Sequence, residues 1–393
     1  MRILFPSLSR FPSTRAPAVQ VANMAQALAE LGHEVRLIIP TGDRGPDATP
    51  PTPDAMTALF GFRPAFEVTT LSRTIHRGQS YLHAARIART AGRWPADLLF
   101  SRNLRACLAP ALRGVPTVFE AHTVTSLTGR QDRWTLDRLL GAPGFRGIVA
   151  ISAGLGEDLS TVLGVPPGSI HVAHDAVRIT DVPPVRAGRA ASDRIVLGYT
   201  GSMFPGRGVE LLVAVADRDP RVELHLVGGP EETARAWAEA APTALADGRI
   251  VIHGQVSPAR ARELQRSADV LAAPFANRVL TDSGVDSSRW MSPMKVAEYM
   301  ASGRPIVTSD LPVLREVLRP EVDALMVPPE DVDAFAAAVG RIADDPALGE
   351  RLAGSALERA QHDLTWSLRA QRILERFMGR SPDDAADQAG GVR

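Results

Sequence analysis

The chain has 393 residues, 45% hydrophobic and 22% charged, enough to build two or three packed cores and too apolar for a largely disordered protein. Its 44 Lys+Arg balance 44 Asp+Glu, so no global field steers it to nucleic acid or to an anionic membrane. The single cysteine, Cys107, excludes an internal disulfide and a thiolate zinc site, and no apolar run reaches the roughly 18 residues of a membrane span. The opening Met1–Pro6 is too short for a signal peptide, and a soluble, cytoplasmic protein is expected.

In chain order, strands are predicted at Arg2–Pro6, Glu34–Pro40, Phe66–Leu71, Asp97–Arg102, Thr117–His122, Ile148–Ser152 and Ile170–His174. Helices fall between them at Pro17–Leu31, Ser80–Ala91, Leu104–Leu112 and Ala153–Leu163. The first helix opens on a proline and ends before Gly32, the usual start and stop signals. The stretch 183–194 has no period and is rich in Pro, Gly, Ala and charge, so it reads as a linker.

The alternation then restarts. Strands are expected at Ile195–Thr200, Val222–Val227, Ile250–His253, Val270–Ala273 and Pro305–Thr308. Helices are expected at Val209–Ala216, Glu231–Ala241, Pro258–Ser267, Met294–Ala301, Val332–Ala343, Leu348–Ala360 and Ser367–Met378. Alternating strands and helices imply parallel βαβ units, hence an α/β protein of two similar halves with a ligand cleft between them.

Three stretches carry chemistry. The turn Gly201–Gly208 joins a strand to a helix, where backbone N–H groups suit a phosphate and Arg207 adds a charged fork. Its spacing matches neither a dinucleotide fingerprint nor a Walker loop. In Ser292–Asp310, Ser292 and Pro293 read as N-cap and first residue of a helix whose first turn holds Lys295. Of the 44 basic residues 43 are arginine and one is this lysine. A cation in a first helical turn opposes the dipole unless an anion sits there, and a diphosphate would serve. Glu298, a turn later, can accept bonds from vicinal hydroxyls such as those of ribose. In Thr117–His122, Glu120 and His122 stand at a strand's carboxyl end, and His122 is a candidate proton handler or hydrogen-bond donor. Two Asp-x-Asp pairs, Asp217/Asp219 and Asp331/Asp333, sit at helix ends and read as structural.

Taken together the sequence resembles the retaining GT-B glycosyltransferases of family 4. The resemblance rests on Val196–Leu212, Leu224–Gly229, Ile252–Val256, Ala268–Pro274 and Ser292–Asp310, with Gly32–Val35 and Glu120–His122. It implies a GT-B fold of two Rossmann-like domains: 1–182, completed by a returning helix at 366–380, then the linker 183–194, then 195–365, with a disordered tail at 381–393. It implies metal-independent transfer of a sugar from UDP- or GDP-sugar to an acceptor, with retention. No cofactor is implied, the donor being a co-substrate, and no nucleic acid partner.

The same resemblance implies catalytic roles for His122, Arg207 and Lys295. Donor nucleotide and diphosphate contacts fall on Gly201, Ser202, Arg207, Gly254, Met294, Lys295 and Glu298. Two departures stand out. Ser202 replaces an arginine common after the first glycine, and Trp290 replaces the acid eight positions before Glu298 that touches the donor sugar. Asp282 or Asp286 is the candidate substitute for that acid, with Glu120 and Ser292 as further sugar contacts. The segments 41–64 and 123–133 are the expected acceptor loops, and peripheral membrane contact stays open. A nucleotide-sugar epimerase and a non-catalytic sugar- or nucleotide-binding protein remain alternatives.

Overall fold

The computed structural model describes residues 1–40, 50–71, 84, 86–87, 89–90, 93–179, 194–281 and 284–379. Contacts divide the chain into two compact units, 1–174 with 366–393, and 175–365. The division falls at His174/Asp175, ahead of the Pro/Gly-rich stretch at which a boundary was expected. The reason is local: Asp175 N donates to Ser292 Oγ at 2.7 Å and Val177 N to Leu364 O at 2.8 Å, so 175–177 packs with the second unit. Residues 183–193, the tail 381–393 and most of the expected helix Ser80–Ala91 lie outside the described residues.

Unit 1 is a parallel sheet of β1 (Arg2–Pro6), β2 (Glu34–Pro40), β3 (Glu67–Leu71), β4 (Leu98–Ser101), β5 (Thr117–Ala121), β6 (Phe145–Ala150) and β7 (Ile170–Val172). Its strand order is β3-β2-β1-β4-β5-β6-β7, with every neighbour parallel. The central strands are apolar runs buried on both faces, as a sheet covered on both sides requires. The helix Trp366–Met378 returns after the second unit and packs on the first helix, Ala16–Glu30.

Unit 2 repeats the plan with β8 (Ile195–Thr200), β9 (Val222–Val227), β10 (Ile250–Gly254), β11 (Val270–Ala273), β12 (Ile306–Ser309) and β13 (Leu325–Val327). The order β10-β9-β8-β11-β12-β13 is again wholly parallel. Two cores cover its two faces. One centres on Leu197, Tyr199, Leu212 and Phe335, the other on Leu271, Phe275, Tyr299 and Leu314.

Both expected acceptor loops contain helix. Thr52 caps a helix at Pro53–Phe60 by accepting from Ala55 N at 3.2 Å. The second loop holds a 3-10 turn at Thr125–Leu127 and the start of the helix Arg130–Leu140, held to the core by Thr135, Leu136 and Leu139.

Candidate functional site

In unit 2 the strand order reverses between β8 and β11, the switch point beyond whose carboxyl ends open α/β sheets bind ligands. The glycine turn leaves β8 there and feeds the helix Val209–Arg218. Gly206 and Gly208 adopt φ of +83° and +78°, and a Cβ on either would strike the carbonyl of Arg278 or of Pro274. Those two glycines let the turn lie against the segment after β11. Gly201, at φ +135°, does something else: a Cβ there would stand 3.1 Å from both Cε and Nζ of Lys295. Its bareness leaves room for the lysine.

Lys295 enters from the first turn of the helix Met294–Met300. Its Nζ lies 4.0 Å from the centre of the Tyr199 ring and 5.2 Å from that of Phe275, and Arg207 Cζ lies 5.8 Å from the same Phe275 ring. Both Lys295 Nζ and Arg207 Nε are buried without a hydrogen-bond partner among the described residues. Burial, and then the neighbouring Arg207, press the lysine well below its ordinary pKa, with Glu298 pulling the other way. Two basic groups thus meet at the switch point, neither nitrogen hydrogen-bonded to an acid among the described residues, with Glu298 the acid that acts on the lysine from a distance. Such an arrangement suits a compact, multiply charged anion.

Glu298 sits one turn further on, and burial raises its pKa. The Gln265 amide donates to its carboxylate at 3.4 Å and to Thr200 Oγ1 at 3.0 Å. Gly254 ends β10 and its carbonyl accepts from Gly228 N at 2.7 Å, while Met294 opens the lysine's helix. The Ser202 carbonyl accepts from the Tyr199 hydroxyl. These residues gather around the ends of β8, β10 and β11.

Several expected sugar contacts are employed elsewhere. Ser292 is not the helix cap: Pro293 holds that position, and Ser292 Oγ accepts from Asp175 N instead. Asp286 Oδ1 accepts from Val279 N at 3.1 Å and from Ser288 N at 3.0 Å, so this carboxylate organises its own loop. Asp282 lies outside the described residues. Sequence reasoning did not single out Tyr199, Phe275 or Gln265, which read as ordinary strand and helix residues.

In unit 1, Glu120 ends in a closed network and makes no outward contact, contrary to the expectation of a sugar ligand. Its side chain is 0% exposed, and Oε1 accepts from Gln20 Nε2 at 2.6 Å while Oε2 accepts from Arg369 Nη2 at 2.8 Å. The remaining donor on Oε1 is His122 Nε2 at 2.7 Å. His122 follows β5 and keeps a side chain 20% exposed. Burial, then Arg102, lowers its pKa to about 4, so the ring is neutral at neutral pH. Among the described residues no group of three or more His, Cys, Asp or Glu is placed to hold a metal ion, and no helix is long and apolar enough to cross a membrane.

Residues 17–180 match the family described as Glycosyltransferase Family 4, and residues 194–345 that described as Glycosyl transferases group 1. The chain belongs to this glycosyltransferase family. Its fold is GT-B: HepE of Anabaena, solved with UDP, superposes with a TM-score of 0.72 over 97% of this chain and 100% of that one, at 15% identity. A glycosyltransferase of Rickettsia africae gives 0.71 over 97% and 99%, at 13% identity.

Among curated relatives, a D-inositol 3-phosphate glycosyltransferase of Thermomonospora curvata is 25% identical over 70% of this chain and 69% of its own length. A second of that name, from Kribbella flavida, is 26% identical over 59% and 56%. A phosphatidyl-myo-inositol mannosyltransferase of Mycolicibacterium smegmatis is 32% identical over 49% and 46%. The chain therefore spans about half to just over two thirds of the relatives it matches.

Proposed function

We propose that the chain transfers a sugar, with retention and without a metal, from a UDP- or GDP-sugar to an acceptor. The observation that carries this is the pair of basic groups at the switch point of unit 2, with Lys295 Nζ and Arg207 Nε buried and without a hydrogen-bond partner among the described residues. A nucleotide diphosphate supplies the missing anion. As the bond to the sugar breaks, negative charge grows on the diphosphate, and fixed cations in a water-poor site stabilise that charge most where it develops. Two protein cations deliver charge that a metal ion would otherwise bring.

Glu298 serves the ribose hydroxyls as an acceptor. Gly201, Ser202, Gly254 and Met294 supply the backbone and packing surface for the nucleotide, and His122 of unit 1 meets a substrate hydroxyl. The solved HepE complexes with UDP and UDP-glucose support a nucleotide sugar as donor, and a cytoplasmic place of action goes with this reading.

The test is a donor screen by calorimetry, UDP- against GDP-sugars with and without EDTA, then turnover with inositol phosphate and phosphatidylinositol among the first acceptors, the anomer of the product read by NMR. Binding and retained configuration in EDTA are expected. Release of an epimerised nucleotide sugar without acceptor, or an inverted product, would overturn the proposal.

A further inference from the structure

The returning helix puts one side chain into the network that holds His122. Arg369 is buried, and its guanidinium donates from Nη2 to Glu120 Oε2 at 2.8 Å, from Nε to the His174 carbonyl at 2.8 Å and from Nη2 to the Ala173 carbonyl at 3.2 Å. On the other side of the carboxylate, Gln20 is oriented as well. Its Oε1 accepts from Arg102 Nη1 at 3.0 Å, which turns its amide nitrogen to Glu120. Burial alone would raise Glu120, but Arg369 and His122 outweigh it and hold it far below the usual carboxylate range. An ionised carboxylate only accepts hydrogen bonds. The 2.7 Å contact to His122 Nε2 therefore requires the ring proton on that nitrogen. The other nitrogen, Nδ1, has no partner among the described residues.

We propose that Arg369 is a positioning residue for the transfer reaction: by fixing Glu120 as a carboxylate it sets His122 with its proton on Nε2 and a lone pair on Nδ1, so the substrate group that His122 meets is a donor, a hydroxyl. The inference deepens the transferase reading: the substrate and the kcat test rest on that reading, and the ring assignment does not. Of the two roles expected of His122, proton handler or hydrogen-bond donor, it sets the outward donor aside. Its one proton is spent on Glu120, and what faces outward is an acceptor. The charged groups around the ring are Glu120 from its own strand end, Arg102 after β4 and Arg369 from the last helix.

Glu120→Gln gives the sharp test. Arg369 claims the amide oxygen and the amide nitrogen takes the place of Oε1, where it meets both Gln20 Nε2 and His122 Nε2; Gln20 must turn or withdraw, and Nε2 of His122 must accept, which moves the ring proton to Nδ1. Long-range proton–nitrogen NMR of histidine-labelled free protein, with His122→Gln to assign the signal, should show Nε2–H in the wild type and Nδ1–H in Glu120→Gln. Arg369→Lys, which keeps a cation on the carboxylate, should retain the wild-type pattern. In steady state Glu120→Gln should lose about tenfold or more in kcat, with donor KM moved little. An Nδ1–H or doubly protonated ring in the wild type at neutral pH, or an Nε2–H ring in Glu120→Gln, would overturn the assignment. A ring proton moved to Nδ1 with unchanged kcat would overturn the positioning role. Because the NMR is read on free protein, absence of turnover with every nucleotide sugar would sink the transferase reading and leave the ring assignment standing.

Discussion

Replacing Lys295 by methionine keeps the aliphatic stem between Tyr199 and Phe275 and deletes the amine that finds no acceptor there. A buried polar group left without its hydrogen bonds costs the folded state about 1–3 kcal/mol. Cation–π attraction at 4.0 Å returns part of that, so a net gain of about 1–2 kcal/mol is expected on removal. For a domain the size of unit 2 this raises Tm by roughly 2–8 °C in ligand-free protein. The nucleotide diphosphate should lose one charged hydrogen bond, about 1.5–3 kcal/mol, or roughly 10–150-fold in Kd. Stability and binding thus move in opposite directions, the mark of a side chain held in place for its ligand. Lys295→Arg probes the slot itself. Gly201 and two ring faces leave space for a slim stem, and a planar fork fits poorly, so kcat/KM should fall about tenfold, roughly 1.4 kcal/mol. Scanning fluorimetry without ligand and titration calorimetry with the nucleoside diphosphate decide the matter. A lower Tm for Lys295→Met, or an unchanged Kd, would refute the reasoning.

Glu298→Gln should weaken nucleoside binding by about 1–3 kcal/mol. In the wild type, nucleoside affinity should fall as pH is lowered through the raised pKa of Glu298, and the variant should lack that limb in calorimetric titrations. Tyr299→Phe strips the acceptor at 2.7 Å from the Thr200 N–H at the end of β8, and urea unfolding should report a loss of about 1–3 kcal/mol. Asp323 is fully buried between Arg319, Arg359 and Ser355. Burial raises its pKa, but Arg319 and Ser355 outweigh that and leave it at about 2, below the ordinary 3.8. Its contribution is therefore whole above pH 3.8 and lost as pH falls through about 2. Asp323→Asn should cost about 1–3 kcal/mol at pH 7, with the difference from wild type shrinking on acidification.

The legible parts of the sequence were those with local signals. Ile195–Thr200 is a mostly apolar run followed at once by Gly201, and both its strand and its turn lie where that pattern puts them. Lys295 stood out by composition alone, and its burial without a partner matches that prominence. The three-residue β13 is too short to show a period, and it exists because β12 offers an edge. Ser292 looked like a helix cap, but tertiary structure gave its hydroxyl to a backbone N–H from the start of the unit. Glu120 is the clearest case. Beside His122 it reads as a cleft acid, while its partners Gln20 and Arg369 stand 100 and 249 residues away, beyond any local pattern.

That last separation bears on how the protein is made. A chain leaving the ribosome exposes Glu120 long before Arg369 exists, and the whole of unit 2 is synthesised in between. Until then, Glu120 lacks the guanidinium of Arg369, and the first helix lacks its cover, Trp366–Met378. The first unit thus gains the guanidinium for Glu120 and the cover for its first helix only when the last helix is made. Chains ending before residue 366 lack Arg369, and with it the bond to Glu120 Oε2 in the network that holds His122.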